Sequence, residues 1–255
     1  MSDVALVLRQ VRFEQRSFWR NPASAFFAFA FPVMFLVIVG SLNRGARLES
    51  MGNIPYNAYY VPALITFGVI GACMTNISMT VSIRRDSGVL KRVRGTPLPA
   101  WAFMAGLIGS SAVVGAILAA LITAAGMLFY GVSAPRHPAT LVLVLLIGGG
   151  CFCALGLALA ALIPNAEAAP AITNAVVLPL LFISGTFYPL DPNSTLSHIA
   201  DWFPMRHFAL AVFTAFDPRG IEQGLPWDDL RSMLLWGAVG LVVAVRRFRW
   251  EPRRS

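Results

Sequence analysis

The charged side chains with the clearest chemical role lie in one short block, RRDSGVLKRVRGTPLP, which runs from residue 84 to residue 99. Five of its residues are cationic, and Asp86 is its only acid. Charged groups of both signs suit a polar surface that binds a partner and releases it. No charged residue occurs from 50 to 83 or from 95 to 135. The block is therefore predicted to be a loop between two membrane-spanning segments.

Other kinds of functional chemistry are missing from the sequence. The predicted spans carry no Lys, Arg, Asp or Glu away from their ends, which argues against a proton relay or an ion-coupling carboxylate. There is no GxxxxGK[ST] phosphate-binding loop, no HExxH motif and no Ser, His and Asp set. His198 and Asp201 are close in sequence, but this pair alone does not indicate a metal site. We therefore predict no catalytic, cofactor or metal site, and a subunit that is driven by a partner.

Composition places the chain among membrane proteins. Hydrophobic residues make up 57% of it, charged residues make up 13%, and its mean hydropathy is +0.68. This leaves too little polar surface to cover a soluble domain. The net charge of +8 comes from cations at the ends of apolar runs, so they are interpreted as topology signals and no nucleic-acid partner is predicted. No cleavable signal peptide is predicted, because the first apolar run begins near Ala23, behind four arginines.

The predicted fold is an all-α membrane protein that forms one transmembrane domain over residues 1–255. An amphipathic helix over 4–20, with four arginines on one face and apolar residues such as Val4 and Leu8 on the other, is expected to lie along the cytoplasmic interface. Apolar runs of membrane-crossing length predict six spans. They lie near residues 23–42, 59–83, 101–130, 139–163, 168–188 and 230–246.

The distribution of cations predicts the orientation. The N-terminal segment, the 84–99 loop and the tail after Val245 carry four, five and five Lys or Arg residues, whereas the three loops on the other side carry two, one and two. Cations of short loops concentrate on the cytoplasmic side of a membrane. Both termini of this multi-pass protein are therefore predicted to be cytoplasmic, in the inner or plasma membrane of a bacterial cell.

Small and polar residues within the spans indicate where helices pack and where a pathway could lie. Small residues recur along the third span, beginning at Gly106 and Ser110, and predict close approach of neighbouring helices. Asn76, Thr80 and Asn174 are polar groups inside spans. Interhelical hydrogen bonds and a role in lining a pathway are both open interpretations for them.

The segment 184–229 is predicted to lie on the extracellular side. Its apolar run is interrupted by Pro204 and is too short to span, so we expect two short re-entrant helices that dip into the outer leaflet. Three aromatic residues are expected to anchor them at the interface, namely Trp202, Phe203 and Phe208. The residues at the end of the fifth span are candidates for a gate, namely Ser184, Gly185 and Pro189.

These features together resemble the permease subunit of ABC-2 type exporters, the drug and antibiotic efflux kind. The resemblance covers nearly the whole chain and includes the fifth-span ending LPLLFISGTFYP. In the basic loop, the family has an acid, then Gly, then Leu-Lys/Glu-Arg-Leu/Val-Arg, then Thr-Pro-Leu. The matching residues here are Asp86, Gly88, Leu90, Lys91, Arg92, Val93, Arg94, Thr96, Pro97 and Leu98.

The resemblance implies a dimer of identical or paralogous permeases bound to two cytoplasmic ATPase subunits. ATP and Mg would bind to those subunits, so this chain would not itself be an enzyme. The loop would act as a coupling helix that docks on the ATPase. The residues implied for this role are Arg85, Asp86, Ser87, Gly88, Leu90, Lys91, Arg92 and Arg94.

The leading interpretation is export of a hydrophobic or amphipathic small molecule. An exporter of lipid or polysaccharide precursors built on the same fold is the alternative, and a pathway lined with aromatic residues would favour a glycan. A membrane scaffold that transports nothing, or an intramembrane enzyme, is a third interpretation, which the missing catalytic set disfavours.

Overall fold

The computed structural model describes residues 3–96, 98–191, 193–220 and 225–248. Pro97 of the basic loop, Pro192 and Glu222 of the outer segment and the three arginines after residue 248 lie outside the described residues.

Helices dominate the described part of the chain. They are α1 (Asp3–Trp19), α2 (Pro22–Leu42), α3 (Tyr56–Ile70), α4 (Asn76–Asp86), α5 (Val89–Arg94), α6 (Ala100–Tyr130), α7 (Pro138–Leu162), α8 (Ala169–Ile183), α9 (Thr195–Ala200), α10 (Pro204–Phe216) and α11 (Trp227–Arg247). A short antiparallel hairpin, β1 (Arg47–Leu48) with β2 (Ile54–Pro55), connects α2 to α3 and contains a 3₁₀ turn at Glu49–Met51.

Among the described residues, four helical segments are long and apolar enough to cross a membrane, namely Ala25–Leu42, Tyr56–Asp86, Ala100–Tyr130 and Pro138–Leu162. They coincide with the first four predicted spans. The helix α11 covers the predicted sixth span, and the count of six crossings stays a prediction.

The predicted fifth span is shorter in the structure. The helix α8 has 15 residues and ends at Ile183, so it rises about 22 Å, less than the roughly 30 Å of a bilayer core. The prediction that residues 184–188 continue the helix is wrong. Gly185 has a φ of +80°, which a right-handed helix does not accommodate.

The second predicted span is a continuous helix with a wider turn at its centre. A π-helical segment, Gly71–Thr75, joins α3 to α4. It packs closely against α7, because a Cβ atom on Gly156 would lie 2.7 Å from the carbonyl oxygen of Met74. Single π-helical turns are often found at functional sites.

The helices run up and down, so the connections gather at two ends. We call the end that holds α5 and the α7–α8 connection (163–168) the basic end. The β1–β2 hairpin and the α6–α7 connection (131–137) lie at the opposite end. The start of α7 also meets the end of α10 there, where the His137 backbone N–H donates to the Ala215 carbonyl at 3.1 Å.

The predicted N-terminal helix is present as α1, and it packs along α6. A Cβ atom on Gly106 would lie 2.2 Å from Gln10 Cγ, which confirms the close packing predicted for this small residue. The packed face of α1 includes the buried Glu14, whereas Val4 and Leu8 are exposed. The apolar face predicted for this helix is thus not covered by the described residues at Val4 and Leu8. The placement of α1 at the membrane interface stays a prediction.

The two short helices predicted after the fifth span are present as α9 and α10, and their entry into the outer leaflet stays a prediction. The role predicted for Phe208 is wrong, because its side chain is fully buried. It packs edge-on against Phe152 of α7, with ring centroids 5.2 Å apart. Gly148 of α7 provides the space, since a Cβ atom there would lie 2.3 Å from the Phe208 ring. Trp202, in contrast, is 78% exposed.

Candidate coupling surface and transport groove

The basic loop forms a helical corner at the end of the second span. The helix α4 ends at Asp86, and Gly88, with a φ of +71°, reverses the chain into α5. Glycine suits this position because residues with a side chain rarely adopt a left-handed backbone. Leu90 is fully buried and holds α5 against the bundle. The outward face of the corner carries exposed polar side chains, namely Ser87, Lys91, Arg92 and Arg94.

Arg85 faces inward and is only 2% exposed. Its guanidinium donates to the carbonyl oxygens of Ala160 at 2.9 Å and Ile163 at 2.8 Å. The last carbonyls of a helix have no partner within the helix, and Arg85 supplies one at the end of α7. The positive charge also faces the negative end of that helix dipole.

Asp86 also bonds within the chain. Its carboxylate accepts a hydrogen bond from the Ala166 backbone N–H and lies 3.4 Å from Arg85 Nε. The end of α4 is thus tied to both α7 and the α7–α8 connection. Of the residues implied to meet a partner, Arg85 and Leu90 are placed inside, where they position the corner.

Asn76 and Thr80 lie beside each other on α4, and Thr80 Oγ1 is 3.3 Å from Asn76 Oδ1. Both line a polar cavity of about 150 Å³ between α1, α4 and α6. A second cavity of about 250 Å³ shares Asn76 and Phe18 with it and is walled by aromatic residues, namely Phe27, Phe31 and Phe67. We call the two cavities together the groove. Asn174 is exposed on α8 and does not line it.

The π-helical segment lies along the aromatic half of the groove, where Gly71 and Ala72 line the wall. A Cβ atom on Gly71 would meet no atom of the described residues within 4 Å, so the wall is open at this point. The groove is therefore polar toward the basic end and aromatic farther along. Such a lining suits an amphipathic molecule.

Sequence reasoning missed a buried ion pair next to the groove. Glu14 of α1 accepts two hydrogen bonds from Arg84 of α4, at 2.8 and 2.7 Å. The side chains are 5% and 20% exposed, respectively. Two-pronged pairs of this kind are strong and directional. Glu14 stands between Gln10 and Gln15 within an arginine-rich helix, and this polar stripe was the signal for a helix face that packs on protein.

The candidate gate residues meet at the end of α8. Ser184 is buried, and its Oγ lies 2.6 Å from Thr186 Oγ1. The Tyr59 hydroxyl of α3 donates to the Gly185 carbonyl, and Arg206 Nη1 donates to the Ser184 carbonyl at 3.3 Å. These residues and Pro189 line one cavity of about 160 Å³. The structure therefore brings the three candidates together and joins them to α3 and α10.

A second polar contact fixes α10 to α11. His207 Nδ1 lies 2.7 Å from Asp229 Oδ1, and its Nε2 lies 2.8 Å from the Asp201 carbonyl. The hydrogen bond to Asp229 raises the pKa of His207, which favours the charged imidazolium. Asp201, which lies just before α10, is thereby linked through His207 to the start of α11.

The fold and these surfaces define a helical membrane protein with a charged corner at one end, an amphipathic groove and a packed polar region at the other end. The chain belongs to the ABC-2 type transporter family, whose family model matches residues 5–216.

Two relatives from Escherichia coli strain K12 are similar to this chain. One, named a probable multidrug ABC transporter permease, YbhR, is 24% identical over 198 residues, which are 77% of this chain and 54% of that protein. The other, named inner membrane transport permease YadH, is 25% identical over 158 residues, which are 62% of this chain and 60% of that protein. The matched region thus spans little more than half the length of either relative.

Proposed function

We propose that this chain is the membrane permease subunit of an ATP-driven exporter, with a separate cytoplasmic ABC ATPase docked at the basic end. The exposed face of α5 is the observation that carries this proposal, because it presents several cations on a corner that is tied to α7 and to the 163–168 connection. Membership of the ABC-2 type transporter family supports it. In this proposal ATP and Mg bind to the ATPase, a second permease completes the dimer, and both termini face the cytoplasm.

The Arg85 and Asp86 contacts support a mechanical link. A push on α5 is transmitted through Arg85 to the end of α7 and through Asp86 to the 163–168 connection. Closure of the ATPase subunits would then move α4, α7 and α8 together as a packed unit.

The proposed substrate is a hydrophobic or amphipathic small molecule that enters the groove. Asn76 and Thr80 would meet its polar part, and Phe27 and Phe31 its apolar part. Phe27 is 66% exposed, so the aromatic half of the groove also opens on the flank of the bundle. This opening favours export of a membrane lipid as the second candidate function.

The docking surface can be tested by reversing two exposed charges. We expect Lys91→Glu with Arg92→Glu to weaken association with the ATPase by roughly tenfold or more, because like charges then face each other across the contact. Co-purification of the permease with its ABC ATPase at several salt concentrations measures this. The matched control is Arg9→Glu with Arg12→Glu, which changes the net charge equally on exposed residues of α1. Equal ATPase yield from the test and control variants would reject docking on α5.

The gate can be tested at Gly185. A leucine there must adopt a left-handed backbone, which costs about 1–2 kcal/mol. Its Cβ would also lie 2.6 Å from Arg206 Nη1 and disturb the bond to the Ser184 carbonyl. We expect Gly185→Leu to abolish most export while basal ATP hydrolysis continues.

The matched control for the gate is Gly52→Leu. Gly52 also has a φ of +80°, but a Cβ atom there would meet nothing within 4 Å. The Gly52→Leu variant therefore imposes the same backbone strain as Gly185→Leu but has no contact to Arg206. Export by the Gly185 variant at the rate of the Gly52 variant would contradict the gate.

A further inference from the structure

A cavity of about 330 Å³ lies at the opposite end of the bundle, away from α5 and the groove. It is bounded by the β1–β2 hairpin, the start of α3, the α6–α7 connection and the end of α10. Its volume falls in the range of about 300–1,000 Å³ that is typical of small-ligand sites. Neither the docking surface nor the gate uses it.

The charged residues that line this cavity are mostly cationic. Arg44, Arg47 and Arg136 line it, and Asp217 is the only acid among the described lining residues. Arg136 Nη1 lies 3.7 Å from Asp217 Oδ2. Arg44 donates to the Phe129 carbonyl at 3.4 Å, and Arg47 donates to the Asn53 carbonyl at 2.9 Å. These two arginines are held in place by neutral oxygens, which leave their charge to attract an anion.

The start of α3 adds to this positive field. Tyr56, the first residue of the helix, lines the cavity, and its backbone N–H donates to the Ala46 carbonyl at 2.9 Å. No side chain of the described residues caps this end. A helix N-terminus carries a partial positive charge and backbone N–H groups that favour phosphate. Guanidinium groups also suit phosphate, because they donate two parallel hydrogen bonds.

Asn57 lines the cavity with an acceptor that needs a hydrogen-bond donor. Its side chain is 8% exposed and lines the cavity, and its Oδ1 has no hydrogen-bond partner among the described residues. A buried acceptor without a partner costs about 1–3 kcal/mol. A ligand that fits this site therefore carries an N–H or O–H donor in addition to its anionic group.

The cavity lies where two membrane-crossing helices end. Three large apolar side chains near those ends of α2 and α6 are strongly exposed, namely Leu42 (80%), Leu128 (80%) and Phe129 (58%). Such residues suit contact with acyl chains, and the adjoining arginines suit the headgroup layer.

We propose that this cavity binds a phospholipid headgroup that has both a phosphate and a hydrogen-bond donor, as in phosphatidylethanolamine and phosphatidylglycerol. The phosphate lies against Arg44, Arg47 and the start of α3, and the amine or hydroxyl donates to Asn57 Oδ1. With the proposed orientation, this lipid belongs to the leaflet opposite the ATPase. The binding itself does not depend on that orientation or on the transport function.

Short-chain lipids below their micelle concentration test this proposal by calorimetry on the full chain in detergent. We expect the ethanolamine and glycerol lipids to bind roughly tenfold or more tightly than the choline lipid, whose headgroup has no donor. Equal affinity for the choline lipid would overturn the proposal. Equal affinity for water-soluble glycerophosphoethanolamine would overturn the assignment to a lipid.

Variants test the assigned contacts. We expect Arg44→Gln with Arg47→Gln, both at exposed side chains, to weaken binding of the glycerol lipid about tenfold or more. Arg219→Gln is the control for loss of one cation, because Arg219 lies at the same end but outside the lining. Asn57→Ala should remove the preference over the choline lipid. Unchanged binding by the double variant, or a preserved preference in the Asn57 variant, would overturn the proposal.

Discussion

Replacing Arg85 with alanine is expected to abolish coupled export and to lower the stability of the protein. The guanidinium makes two short hydrogen bonds to the end of α7 in a buried site. Hydrogen bonds from a charged donor contribute about 1.5–3 kcal/mol each, so the loss is about 3–6 kcal/mol. A loss of this size is a large fraction of the stability of a typical domain. Thermal unfolding and substrate export, measured on the same preparation, would record it.

Two further variants separate a positional role from simple loss of charge. Arg85→Lys keeps the charge but lacks the planar fork that reaches both carbonyls, so an intermediate effect is expected. Arg94→Ala removes an exposed cation of the same corner and should leave the unfolding temperature nearly unchanged. If Arg85→Lys matched the wild type in both assays, the two-carbonyl link would not be required.

Reversing either charge of the Glu14–Arg84 pair is expected to detach α1 from the bundle. Glu14→Arg places two guanidinium groups together at a site where Glu14 is 5% exposed. Breaking a buried pair costs about 3–5 kcal/mol, because one charge is left uncompensated. We expect faster cleavage of the N-terminal helix in limited proteolysis and loss of export in a transport assay.

The double exchange, Glu14→Arg with Arg84→Glu, should restore much of the resistance of α1 to proteolysis. The double variant again pairs opposite charges, with their positions exchanged. It does lose the contact of Arg84 with the Phe103 ring, whose centroid lies 5.9 Å from the guanidinium carbon. Arg12→Glu, at an exposed position of the same helix, is the control for charge alone. Protection as poor in the double variant as in the singles would mean that the attraction between the two side chains does not hold α1.

The long apolar helices were predictable because membrane-crossing length is a property of local sequence. The partners of Arg85 were not, because they are backbone carbonyls 75 and 78 residues away and carry no side-chain signature. The same limit applies to Phe208, whose burial depends on the space left by Gly148. The hydrophobicity of phenylalanine does not distinguish a side chain that faces lipid from one that is buried inside the bundle.

The corner formed by the end of α4 and α5 shows what the sequence motif could predict and what it could not. Gly88 forms the turn into α5, and Lys91 and Arg92 are exposed, as the proposed docking role requires. Arg85 and Leu90 belong to the same motif but face inward. A sequence pattern records which residues occur together, whereas the direction of each side chain depends on the helix that carries it, α4 for Arg85 and α5 for Leu90.

The π-helical turn at Gly71–Thr75 has a consequence for the rotational phase of the second span. It adds one residue to a helical turn, so a helical wheel drawn with a uniform period through 56–86 misplaces every residue after the turn by about 100°. Removing one residue from this turn would restore a regular helix and rotate Arg84 away from Glu14 and Arg85 away from the end of α7. The extra residue therefore sets which neighbour each arginine meets, from more than two helical turns away.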